Sequence, residues 1–210
     1  QLSLSNTKVV HNSGLFDYEF ANCKDSIVNK YFHIVMISRL EPVKNIEAVI
    51  NVVANLKTKI STKIKLTIAG SGTLEEDLKK KVSELNLNEN VLFTGFISDP
   101  YPILKSADLY VLNSFSEGFS NSLIEAMYSS IPSLSTGVGA ANEIIDDNIN
   151  GFLVSPANEN ELLDKIQNIV SMSKNQLLEI GMKGHQKITA NFSLNKHVDQ
   201  LMRIYKSHQL

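Results

Sequence analysis

Three short segments hold the residues best suited to chemistry. The first is Ser38-Arg39-Leu40-Glu41-Pro42-Val43-Lys44, the second Gly70-Ser71-Gly72, and the third runs from Ser116 through Glu117, Gly118, Phe119, Ser120, Asn121, Ser122, Leu123 and Ile124 to Glu125. Arg39 and Lys44 are two cations five positions apart, beside an expected helix start whose free N–H groups favour anions. That is the make-up of a diphosphate clamp. The same spacing equally suits a solvated Lys44 with Arg39 paired to Glu41 or Glu47. Arginine is scarce, only Arg39 and Arg203 against eighteen lysines, so an arginine at such a position is informative. Glu117 is expected in a loop and Glu125 eight residues on, inside a helix capped by Ser120 or Asn121. Two carboxylates so placed can address two parts of one extended ligand while the helix start between them faces a phosphate. Taken singly, each also fits an ordinary exposed charge. Gly70 and Gly72 open a dinucleotide-like pattern, but its third glycine would fall on Glu75, and no phosphate loop of the Gly-x4-Gly-Lys-Ser/Thr kind occurs. The two glycines therefore predict a tight turn, still compatible with a ligand lying over bare backbone.

The elements that must position these segments alternate between short β-branched runs and longer amphipathic stretches, the mark of βαβ units and a parallel sheet. Strands are predicted at residues 33–38, 63–69, 91–93, 108–112, 133–135 and 152–154. Helices are predicted at 45–56, 74–85, 120–129, 159–170, 175–189 and 194–205. Lys8, Val9 and Val10 suggest one further short strand. The expectation is an α/β fold: a Rossmann-like, doubly wound parallel sheet of about six strands with C-terminal helices. In such a sheet a ligand lies beyond the carboxyl ends of the strands, where all three segments fall. Residues 1–30 read as a linker or domain start, 31–192 as the Rossmann-like domain, and 193–210 as a C-terminal helix.

Composition narrows the function classes. The 210 residues are 43% hydrophobic and 20% charged, as in soluble globular domains, which excludes disordered, collagenous and disulfide-scaffold classes. The single cysteine, Cys23, forms no internal bridge and excludes a multi-cysteine zinc site. A net charge of -2 without a dominant basic block makes nucleic acid and anionic membrane poor partners. No apolar run approaches the roughly 20 residues of a membrane span. A chain beginning at Gln1 reads as a piece of something longer.

Read together, the segments resemble the nucleotide-sugar-binding C-terminal half of a GT-B glycosyltransferase of the retaining family 4. The resemblance runs over residues 9–205. It rests on Ser38-Arg39-Leu40 with Lys44-Asn45; Ile68-Ala69-Gly70-Ser71-Gly72; Val91-Leu92-Phe93-Thr94-Gly95; the Glu-x7-Glu motif from Glu117 to Glu125 with Ala126-Met127; and Gly139, Glu143-Ile144-Ile145 and Asn150-Gly151-Phe152-Leu153-Val154. It implies transfer of a sugar from a nucleoside-diphosphate sugar, with retention, to a glycan or lipid-linked glycan acceptor of bacterial surface polysaccharide synthesis. Arg39 and Lys44 would hold the diphosphate and its developing charge, making a metal unnecessary and leaving no other cofactor. Glu125 would bind the ribose, and Glu117 the transferred sugar and its oxocarbenium-like centre. Backbone N–H groups of Phe119, Ser120 and Asn121 would face the diphosphate, Phe96 and Ile97 the base, with Gly70, Gly72 and Leu123 completing the donor site. The resemblance further implies an acceptor domain upstream, onto which the last helix crosses through Leu194, Val198, Leu201, Ile204 and Tyr205. The fragment alone would then be inactive, in a cytoplasmic enzyme able to sit at the inner membrane face. Departures from the family pattern are Ser38, Ser130 and Ala140, each where glycine is usual. A nucleotide-sugar epimerase and a non-catalytic binding module are the alternative readings.

Overall fold

Buried apolar runs set the sheet. In the computed structural model, which describes residues 30–207 and Val10, Phe32–Ile37 (β1), Ile64–Ala69 (β2), Val91–Gly95 (β3), Leu109–Leu112 (β4), Ser133–Thr136 (β5) and Phe152–Val154 (β6) form one six-stranded sheet. Every pairing is parallel, in the order β3-β2-β1-β4-β5-β6. The central strands are buried on both faces, which is why they read as continuous apolar runs rather than alternating ones. Successive side chains nevertheless divide between two cores. Ile34 and Met36 of β1 and Leu109 and Val111 of β4 join one, while Val35, Tyr110 and Leu112 join the other.

Helices Ile46–Lys59 (α1), Glu75–Glu84 (α2), Tyr101–Ser106 (α3), Asn121–Tyr128 (α4), Ala141–Ile144 (α5), Glu159–Ser171 (α6) and Lys174–Asn191 (α7) complete the layers, followed by Leu194–Ser207 (α8). α1 presents Ile46, Val49, Ile50, Val53 and Leu56 to the first core, a stripe at helical spacing. α4 lies on the other face, burying Leu123, Ile124, Ala126 and Met127. It packs on α7, where Gly181 and Gly184 bring the α7 backbone close: a Cβ on Gly181 would stand 2.0 Å from the Ser130 carbonyl. α7 is started by a reciprocal capping box between Ser173 and Gln176.

The doubly wound parallel sheet and its six strands match the expectation. Three local features differ. α1 does not begin at Asn45: Pro42–Lys44 forms a 3-10 turn, Asn45 takes left-handed backbone (φ 46°), and the helix starts at Ile46. β3 continues through Thr94 to Gly95. Residues 101–106 and 141–144, to which the sequence assigned no element, are the helices α3 and α5; α3 starts with Pro at its first turn, a position proline favours. The strand expected at Lys8 to Val10 and the linker of residues 1–30 fall, but for Val10 and Lys30, outside the described residues. No helix among the described residues is long and apolar enough to cross a membrane.

Candidate functional site

The chain leaves β1 toward β2 and leaves β4 toward β5, so the sheet order reverses between the adjacent strands β1 and β4. Loops beyond their carboxyl ends diverge there and open a crevice, the general ligand position in such sheets. The first of the three chemical segments follows β1 and the third follows β4. Two bonds bind these loops together. The Phe115 N–H donates to the Val43 carbonyl at 2.8 Å, and the Asn113 side-chain amide donates to the Asn45 carbonyl at 3.1 Å.

Across this junction Lys44 Nζ lies 2.5 Å from Glu117 Oε1, each side chain only 14% exposed. Ser114 Oγ donates to the same carboxylate oxygen at 2.7 Å. Ser114 is itself held, its carbonyl accepting from Thr136 Oγ1 at 2.7 Å, so β5 supports the Glu117 loop. Arg39 is exposed and has no ion-pair partner among the described residues. The pairings open to it in sequence are not made: Glu41 accepts from Thr73 at 3.0 Å, and Glu47 pairs with Lys81 at 2.5 Å. Among the described residues the crevice thus presents Arg39 as a free cation and Lys44 as a cation neutralised by a carboxylate.

Gly70 and Gly72 stand behind Arg39 rather than in the open crevice. A Cβ on Gly70 would lie 1.9 Å from the Ser38 carbonyl oxygen, and one on Gly72 would lie 2.5 Å from that of Leu40. The Leu40 N–H donates to the Ser71 carbonyl at 2.9 Å and the Leu74 N–H to the Leu40 carbonyl at 3.0 Å. Close backbone packing on the Arg39 loop is therefore what requires these glycines. Gly139 plays the same part for Glu117: at φ +55°, its Cβ would lie 2.2 Å from the Glu117 carbonyl oxygen. Ala140, by contrast, has ordinary φ of -73° and donates its N–H to the Gly118 carbonyl at 2.9 Å, so its methyl group places no strain on the loop. Ser130 does occupy left-handed backbone, at φ 53°.

α4 starts at the crevice. Ser120 caps it, its Oγ accepting the Leu123 N–H at 3.4 Å. Leu123 spends its N–H on that cap and its side chain on the core, so it serves the site through the helix start. Phe119 is anchored by a tilted ring contact with Phe192, centroids 5.8 Å apart. Asn121 is exposed on the first turn. Glu125, one turn further, is half-buried, and burial raises its carboxyl above the ordinary carboxylate range. Phe96, 78% exposed, and Ile97 follow β3, whose Gly95 carbonyl accepts from the Gly70 N–H at 2.8 Å.

The structure thus brings Arg39, Lys44, Glu117, Ser120 and Asn121 onto facing loops, with Glu125 beside them on α4 and Phe96 and Ile97 beyond Gly70. Sequence reasoning missed Ser114, Tyr110 and the Lys44–Glu117 pair. Tyr110 is fully buried within β4, and only the period-2 pattern of that strand, which turns it toward α4, could have flagged it. Among the described residues no group of three or more His, Cys, Asp and Glu side chains could hold a metal ion. Surface cavities of about 460 and 480 Å3 lie over β6 and α6 and at the foot of β1, and a smaller one of about 140 Å3 borders the crevice loops at Asn45, Asn113 and Phe115.

The family model for glycosyl transferases group 1 matches residues 19–187. The chain is 32% identical over 174 residues to the poly(ribitol-phosphate) alpha-N-acetylglucosaminyltransferase of Staphylococcus aureus, covering 81% of this chain and 34% of that protein. It is 34% identical over 151 residues to an N-acetylgalactosamine-N,N'-diacetylbacillosaminyl-diphospho-undecaprenol 4-alpha-N-acetylgalactosaminyltransferase of Campylobacter jejuni, covering 71% and 40%. Among solved structures, a mutant of S. aureus TarM in complex with Fondaparinux, alpha-GlcNAc-glycerol and UDP aligns with a TM-score of 0.76 at 27% identity, covering 96% of this chain and 38% of that one. The C-terminal domain of a glycosyl transferase group 1 family protein from Francisella tularensis aligns at 0.69 and 26%, covering 78% and 87%. The chain spans 34% and 40% of the length of these two curated relatives. With the sheet order, the crevice and these matches in agreement, the chain belongs to the glycosyl transferases group 1 family and has the fold of one Rossmann-like half of a GT-B enzyme.

Proposed function

We propose that the chain is the donor-binding half of a retaining glycosyltransferase that takes its sugar from a nucleoside-diphosphate sugar. The observation that carries this is the Lys44–Glu117 pair across the strand-order reversal, 2.5 Å long and flanked by the unpaired Arg39. A diphosphate entering the crevice meets Arg39 directly and competes with Glu117 for Lys44. Glu117, so released, lies beside the departing bond and stabilises positive charge at the anomeric carbon. Arg39 and Lys44 balance the charge growing on the leaving diphosphate, each charge-assisted bond contributing about 1.5–3 kcal/mol. The start of α4 adds oriented backbone dipoles, Glu125 accepts from the ribose hydroxyls, and Phe96 with Ile97 borders the base.

UDP is the first nucleotide to test, because TarM was solved with it. The transferase relatives named for poly(ribitol-phosphate) or diphosphoundecaprenol-linked sugars favour a surface-glycan acceptor. The acceptor site belongs to a second domain, and α8 supplies a face for it. Leu194, Val198, Met202 and Tyr205, at 44%, 46%, 48% and 66% exposure, lie on one side of that helix, and no residue from Leu194 to Lys206 is buried. The 210-residue chain accordingly binds nucleotide without transferring sugar. Thermal unfolding with UDP, GDP and ADP at millimolar concentration tests the reading. A ligand at 100 times its Kd stabilises by about 2.7 kcal/mol, and no shift with any of the three overturns it.

A further inference from the structure

Tyr110 is part of no motif, yet it connects the two walls of the crevice. Its hydroxyl stands 2.8 Å from Ser122 Oγ, on the first turn of α4, and 3.5 Å from the carbonyl of Ile37, at the end of β1. Ser122 Oγ in turn lies 3.2 Å from Ser120 Oγ, the cap of α4. A buried phenol has one proton and must place it. Ser122 is the stronger acceptor, since 3.5 Å is at the outer limit of a hydrogen bond. Burial holds the phenol far above its ordinary range, with Glu125 and Glu117 acting in the same direction, so Tyr110 remains a donor at neutral pH. With Tyr110 donating to Ser122, the Ser122 proton turns toward Ser120. Ser120 Oγ then accepts from both Ser122 and the Leu123 N–H, which leaves its own proton for a third partner.

We propose that Tyr110, Ser122 and Ser120 form a one-way hydrogen-bond relay that makes the Ser120 hydroxyl a donor to the diphosphate of a bound nucleotide. Ser120 touches the ligand, and Tyr110 is a positioning residue that sets the direction of the chain. Hydrogen bonds in series polarise one another, and a pre-set rotor costs no ordering when the anion arrives. The relay rests on the donor-site reading above.

The test uses the 210-residue chain and measures UDP and uridine affinity for the unsubstituted protein, Tyr110→Phe, Ser122→Ala, their double variant and Ser120→Gly, each with its Tm. Glycine is tolerated as an N-cap, so Ser120→Gly keeps α4; it is expected to weaken UDP about tenfold or more and uridine hardly at all. Tyr110→Phe and Ser122→Ala each weaken UDP by about two- to fourfold, and the double variant weakens it no further, because one chain is cut at either of two points. A purely structural role for Tyr110 would lower Tm and weaken UDP and uridine alike, and that result overturns the relay. So does UDP binding that Tyr110→Phe leaves unchanged, or losses that add in the double variant. Failure of the unsubstituted chain to bind UDP overturns the donor-site reading for UDP itself, and the relay with it.

Discussion

Gly139→Ala separates a loop built to hold Glu117 from a loop that merely ends near it. Gly139 has φ +55°, and a Cβ there would stand 2.2 Å from the Glu117 carbonyl oxygen and 2.6 Å from that of Gly118. Left-handed backbone costs a residue with a Cβ about 1–2 kcal/mol. The contact adds to this, because both colliding atoms are backbone and no side chain can rotate away; the loops must separate by roughly 1 Å to regain ordinary contact. That movement strains the 2.9 Å bond from the Ala140 N–H to Gly118, worth about 1 kcal/mol net. The sum is about 2–3 kcal/mol, or roughly 5–10 °C in Tm for a domain of this size. The same movement draws Glu117 from Lys44, and UDP affinity falls about tenfold. In a full-length enzyme a 1 Å displacement of a catalytic group costs about 100-fold in transfer rate. Gly118→Ala is the stability comparison: a Cβ there meets nothing within 4 Å, so its Tm changes by under about 2 °C. Thermal unfolding of both variants, with and without UDP, decides. Equal Tm values for the two alanine variants, or full UDP affinity in Gly139→Ala, would refute the claim that Gly139 holds the Glu117 loop.

Glu125 has its carboxyl raised above 4.5 by burial, so the folded chain binds more protons than the unfolded one in the interval above 4.5 and loses stability as pH rises through it. Glu125→Gln removes that penalty: its Tm exceeds the unsubstituted chain's at pH 7 and not at pH 4, while stabilisation by UDP drops, and an equal difference at both pH values refutes the account. Lys44→Ala leaves the mostly shielded Glu117 carboxylate without its cation; calorimetry should find UDP weakened by about 10- to 100-fold and Tm lowered, whereas loss of Tm with unchanged affinity would remove Lys44 from the clamp. Ser130→Gly relieves the left-handed backbone at φ 53°, a cost of about 1–2 kcal/mol offset by about 0.5–1 kcal/mol of glycine entropy, so chemical denaturation should give a gain of up to about 1.5 kcal/mol; a loss would mean the Ser130 side chain contributes to the α4–α7 contact.

What the sequence made legible was whatever is written in consecutive residues. β1 and β4 read as buried strands because the whole run is apolar, α1 because its apolar positions recur at helical spacing, and the cap of α4 because a serine precedes the apolar positions it starts. α3 and α5 were not legible. At six and four residues they are shorter than the span over which a helical period can be counted, and they form because the chain must turn between packed strands. The 3-10 turn at Pro42–Lys44 was hidden for a similar reason: Pro42 allows a helix start there, and only the left-handed Asn45 that follows separates turn from helix.

Lys44 and Glu117 are 73 residues apart, and nothing in either segment names the other. What joins them is the sheet order, because a strand order that reverses between β1 and β4 puts those two loops, and no other pair, on the two sides of one crevice. The competing partners are removed by the same three-dimensional placement: Thr73 reaches Glu41 and Lys81 reaches Glu47, both from the segment that follows β2. The glycines obey this logic as well. Gly70 and Gly72 are compatible in sequence with a ligand over bare backbone, yet the space beside them, like that beside Gly139, is filled by the backbone of a neighbouring loop. Their absence of side chains acts on the site at one remove, by letting the Arg39 loop and the Glu117 loop lie against the loop segments that follow β2 and β5. A substitution at any of the three should therefore be felt first as lost stability and only then as lost nucleotide affinity, in that order of magnitude, whereas Arg39, which holds nothing else in place, should show the reverse.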